Sequence, residues 1–134
     1  MVQKIAPKNN GTYFIVGLGI FPFEIMFSIN ETDDVLMKRL RKYGVDNEEL
    51  LKFVYNYENS NGRTKMFGTN HTVIRISNFD DRYGFIGTLS HEIFHAITFI
   101  FDEIGIKYQL GVSDEAYSYA IGYVTKIAYE KLGL

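Results

Sequence analysis

His91, Glu92 and His95 are the residues of this chain whose types and spacing can do chemistry. They stand as His-Glu-Ile-Phe-His, the pattern HExxH, inside an apolar run that reads as helix. On a helix His91 and His95 share one face, one turn apart. Two imidazoles so placed can bind one tetrahedral zinc ion. Glu92 stands roughly 100° round the helix from His91. From there its carboxylate reaches a water at the ion rather than the ion itself. Such chemistry needs a third protein ligand and an open position for water.

The chain has no cysteine, so any metal must rest on His, Asp and Glu. Glu115 is the best candidate for the third ligand, with nineteen residues between it and His95. Gly105 can end the first helix and Ser113 can cap the next, whose first turn then folds back toward the histidines. Asp114 is the alternative, projecting roughly 100° away from Glu115. Both acids would also stabilise a helix N-terminus without any metal. Asp102 and Glu103 lie roughly 10–12 Å beyond His95 along the helix axis, too far to share an ion.

The elements that must position these groups follow from local pattern. Residues 13–19 and 23–29 read as strands, broken at Phe21-Pro22. Asn9-Asn10-Gly11 before them is a turn signal. Asn30, Thr32 and Asp33 offer capping oxygens to a helix carrying Val35, Leu36, Leu40 and Tyr43, which Gly44 ends. A second short helix starts at Asp46 or Asn47 and carries Leu50, Leu51, Phe53, Val54 and Tyr57. Residues 59–62 are a loop, and residues 63–67 and 72–76 flank Gly68-Thr69-Asn70 as a hairpin. A polar connection at 78–82 leads into the HExxH helix, placed over 83–104. The last helix runs from Ser113 to about Lys131. The order β-β-α-α-β-β-α-α predicts one α+β domain over 1–134, with a small antiparallel sheet and the HExxH helix packed on the C-terminal helix.

Composition bounds the partners. The chain has 134 residues, 46% of them hydrophobic and 16% aromatic, enough for one core. Net charge is −2 with acids and bases mixed, so no basic patch points to nucleic acid. Lys4, Lys8 and the apolar run 13–23 loosely resemble a signal peptide. Its aromatic and β-branched content, Gly17, Gly19, Pro22 and lack of a small-residue cleavage site favour a strand. The run is also too short to cross a membrane. The expectation is a cytoplasmic protein without membrane or nucleic-acid partners.

His91-Glu92-x-x-His95, then nineteen residues and Glu115, resembles the gluzincin pattern of thermolysin-like zinc metallopeptidases. The resemblance covers about residues 85–125. It implies His91, His95 and Glu115 as zinc ligands, Glu92 as general base and a peptide or protein segment as substrate. Small phage-type metallopeptidase-like proteins are similar too, with an HExxH helix followed by an acidic-aromatic helix like Ser113-Asp114-Glu115-Ala116-Tyr117. The chain departs from the thermolysin-like pattern in three ways. Tyr119 stands where an Asp would orient the first histidine, no histidine follows Glu115, and there is no large second lobe. The family's habit of binding peptide along an edge strand points to Thr72–Ile76, the last strand before the HExxH helix, with an interior strand of the sheet as the equal alternative. Tyr108, Tyr117, Tyr119 and Tyr123 are candidate oxyanion donors. Tyr119, one turn after Glu115, is the one expected to face the site. His71, in the hairpin turn, is expected to be solvated, as is Glu24 within its apolar strand. The alternative to an enzyme is an inactive zincin-like module that binds protein or keeps zinc for structure.

Overall fold

The computed structural model describes residues 11–19, 21–55, 61–77 and 81–134. The Asn9-Asn10 turn, Tyr57, the Asn59-Ser60 loop and the 78–80 connection lie outside the described residues. The element order is β1 (Thr12–Gly17), β2 (Glu24–Ile29), α1 (Asp33–Lys42), α2 (Asn47–Tyr55), β3 (Gly62–Met66), β4 (Thr72–Ile76), α3 (Arg82–Glu103) and α4 (Asp114–Leu132). This is an α+β fold in the order the sequence predicts.

The four strands form one sheet in the order β1-β2-β4-β3. β1 pairs antiparallel with β2, and β3 antiparallel with β4. β2 and β4 run parallel, so the sheet is mixed rather than wholly antiparallel. Parallel neighbours need a long crossover, and the segment holding α1 and α2 supplies it. Side-chain alternation then divides the core in two. Ile25, Phe27, Ile29, Ile74 and Ile76 face α3 and α4. Met26 and Val73 face α1 and α2 with Leu36, Leu40, Leu50 and Phe53.

On the α1–α2 face Arg75 is 4% exposed, a cation inside the fold. It donates to Asp33 Oδ1 at 2.6 Å, to the Glu31 carbonyl at 3.2 Å and to the Val54 carbonyl at 3.3 Å. One guanidinium thus ties the start of α1 and the end of α2 to the centre of the sheet, with the Asp33 carboxylate beside its charge. Glu31 is buried as well and pairs with Arg39.

α3 begins at a side-chain cap, Asp81 Oδ1 accepting from the Gly84 N–H at 2.6 Å. By length and composition alone it could cross a membrane. In the fold it is the central core helix, with Phe85, Leu89, Ile93, Ala96, Ile97 and Ile100 turned into the larger cluster. α4 packs beside it through Tyr117, Val124 and Ala128. Ser113 holds the N-cap position of α4 without a side-chain cap bond. Its hydroxyl instead donates to the Lys107 carbonyl and accepts from the Gln109 N–H, closing the loop between the two helices. Glu24, at the start of β2, is exposed.

Ile93 is fully buried where α3 meets the sheet. Ile93→Ala should cost about 2–5 kcal/mol of folding stability, read as a lowered urea midpoint with an unchanged m-value.

Candidate metal centre

α3 lays its middle turns against β3 and β4, and that contact sets the site. The Nε2 atoms of His91 and His95 are 3.0 Å apart, with ring centroids at 4.7 Å. Two such nitrogens at this distance need one proton shared between them or a cation in the gap. Two zinc–nitrogen bonds of about 2.0–2.1 Å at a tetrahedral angle span about 3.3 Å, so a shift of a few tenths of an ångström seats the ion. His91 is exposed and His95 half-buried, which leaves the donors open to solvent on one side. Phe99 stacks beside His95 with ring centroids 6.0 Å apart, and Phe94 flanks it at 6.3 Å.

Glu92 is the third member of the group. One ligand atom from each of His91, Glu92 and His95 lies within 4.8 Å of the others. The residue is only 5% exposed, and its carboxylate is turned toward β3. A carboxylate so deep needs a donor, and Thr64 on β3 provides it. Thr64 Oγ1 donates to Glu92 Oε2 at 2.9 Å, with the Glu92 main-chain carbonyl as a second acceptor at 3.2 Å.

The approach of helix to strand is close enough to require glycine. A Cβ on Gly62 would stand 2.6 Å from Thr88 Cγ2 and 2.9 Å from Glu92 Cγ. Neither Gly62 nor Thr64 stands out in the sequence. The signal available was their i, i+2 spacing on a short strand, which puts both on one face.

β4 is an interior strand between β2 and β3, so Thr72–Ile76 offers no edge to a substrate. The edge beside α3 is β3. The expectation failed because order along the chain does not fix order across the sheet. Phe67 donates to the His71 carbonyl and Ser77 to the Asn61 carbonyl, each at 2.9 Å. The antiparallel alternation between these pairs turns the main-chain groups of Thr64 and Met66 away from β4, toward the open side. A groove of about 1040 Å3 runs along that side. Its walls are residues 63–66 of β3, Glu49 and Lys52 of α2, and Phe99, Asp102 and Glu103 of α3.

Glu115 and Tyr119 are not brought to the histidines. Glu115 is exposed in the first turn of α4 and does not join the metal-ligand group found among the described residues. Tyr117 explains the placement. Its ring packs edge-on against Phe101 at 4.7 Å, and its hydroxyl donates to the Ile106 carbonyl at 2.8 Å. These contacts seat the first turn of α4 beside the C-terminal end of α3, roughly 9 Å past His95 along the axis. Tyr119 is 76% exposed and is not among the rings that pack on His91 or His95. Asp114 Oδ1 accepts from the Gly111 N–H at 2.8 Å and serves the loop. His71 packs against Tyr43 and bonds Thr69 in the hairpin turn, away from the metal-ligand group.

Comparisons with protein-family models, with curated proteins and with solved structures give no match. The donor group therefore speaks for itself. It is a His-Glu-x-x-His cluster consistent with a zincin-type site and with the active site of a zinc metallopeptidase.

Gly62→Ala should cost about 1–3 kcal/mol, because Thr88 and Glu92 must give way, and urea unfolding would measure it. With α4 seated as it is, Glu115→Gln should leave metal content unchanged by elemental analysis. A loss matching that of His91→Ala would mean that the first turn of α4 moves to the histidines when metal binds.

Proposed function

We propose that this chain is a zinc-dependent hydrolase of peptide bonds. The observation that carries the proposal is the paired Nε2 atoms of His91 and His95, with the Glu92 carboxylate held beside them. Zinc bound there would polarise the scissile carbonyl and lower the pKa of water. His91 and His95 would hold the ion through Nε2. Glu92 takes the proton of the attacking water at Oε1 and passes it to the leaving amine. Phe94 and Phe99 place two aromatic rings beside His95.

The substrate is an extended peptide or protein segment lying along β3. The outward main-chain groups of Thr64 and Met66 give it hydrogen bonds of the strand-addition kind, and the groove gives its side chains room. Identity of the peptide is set by the mixed charges of that groove, Lys52, Arg63 and Lys65 against Glu49, Asp102 and Glu103.

One observation favours a second reading. Among the described residues no third separate protein ligand joins the two histidines, and two make a weaker zinc site than three would. On that reading the chain binds a protein along the same edge without cutting it.

Purified chain loaded with zinc should carry about one ion, lost in His91→Ala/His95→Ala. Glu92→Gln should keep the ion and lose about 10²–10⁴-fold in cleavage of a peptide library. Zinc-loaded wild type that cuts no peptide faster than Glu92→Gln would favour the binding module.

A further inference from the structure

We infer that Thr64 is a positioning residue that keeps Glu92 a base and prevents it from becoming a zinc ligand. The inference rests on the zinc site proposed above. Its structural grounds are separate: the reach of Glu92, the shortage of ligands, and one hydrogen bond.

Glu92 lies close enough to compete for the ion. Its ligand atom is within 4.8 Å of both histidine nitrogens, and a side-chain rotation covers a shortfall of that size. Zinc accepts carboxylate oxygen as well as imidazole nitrogen and prefers four ligands. Among the described residues no other His, Asp or Glu joins the group. An ion held by His91 and His95 alone would therefore draw in the nearest carboxylate, which is that of Glu92. A carboxylate whose charge is taken up by the ion is a weaker base toward water beside it.

Thr64 opposes that rotation. Its hydroxyl donates to Oε2 at 2.9 Å from β3 and holds the carboxylate on the strand. Oε1 has no hydrogen-bond partner among the described residues, so it is the oxygen left to meet water. Ordering of Thr64 is independent of the site, since β3 is held by β4 through main-chain pairing. The Thr64 hydroxyl also has the Glu92 carbonyl within 3.2 Å, a second acceptor that keeps the side chain in place if Oε2 moves. Thr64 further carries the main-chain groups that face the open edge. One residue thus fixes the base and the strand on which a peptide would lie.

Thr64→Val, which keeps the shape and removes the hydroxyl, tests this against Thr64→Ser, which keeps the hydroxyl. In Thr64→Val, zinc should bind about tenfold more tightly, and the visible spectrum of the Co2+-loaded chain should change as a carboxylate enters the ligand set. Adding Glu92→Gln should remove both effects. Any peptidase activity should fall about 10²-fold through kcat with KM unchanged, and Thr64→Ser should restore it. An unchanged zinc affinity and Co2+ spectrum in Thr64→Val would overturn the inference, as would Thr64→Ser behaving like Thr64→Val. The metal readouts do not require an active enzyme. Absence of cleavage in wild type would count against the proposed function alone.

Discussion

The seat of α3 on β3 rests on one buried carboxylate and its donor. Glu92 sits in the interface of an otherwise apolar helix face, where an unanswered charge would cost more than several packed methyl groups contribute. Thr64 answers it, and Gly62 leaves out a Cβ that would meet Thr88 and Glu92 of the helix. Once that contact is made, the rotation of α3 is fixed. Its apolar residues turn into the core, and His91 and His95 turn out beside the open edge of the sheet.

The remaining elements support this contact from both sides. α4 closes the opposite flank of α3 through Tyr117, Val124 and Ala128, so the helix cannot roll away from β3. Beneath the sheet, Arg75 anchors β4 to α1 and α2, and β4 in turn pairs along the whole of β3. The strand that carries Thr64 is therefore an edge strand with a firm inner neighbour. This combination gives a rigid platform with one open side, a requirement for holding a base in place while a substrate arrives.

Local signals were enough to read the element order, the HExxH helix and its two histidines from the sequence. Periodicity in α3, a capping threonine before α1 and glycines after α1 and α3 all act within a few residues. Strand order and the partner of Glu92 were out of reach because both are contacts at long separation. Thr64 and Glu92 are 28 positions apart, and nothing local in a Gly-Arg-Thr-Lys-Met strand reports the helix above it. The edge was assigned to β4 by its place in the chain, whereas β3 lies outside it. Glu115 illustrates the same limit. Its spacing from His95 fits a ligand, but the register of α4 is set by Tyr117 against Phe101 and Ile106, a packing choice that spacing does not encode.

The Nε2 atoms of His91 and His95 stand at the edge of the sheet, placed to hold one metal ion between them. Zinc K-edge X-ray absorption on the zinc-loaded chain tests it most directly. Two imidazole nitrogens at about 2.0–2.1 Å are expected, with their ring scattering visible and the remaining ligands oxygen. A shell of oxygens without imidazole scattering would contradict it, because zinc would then be bound elsewhere and the two histidines would be an ordinary hydrogen-bonded pair.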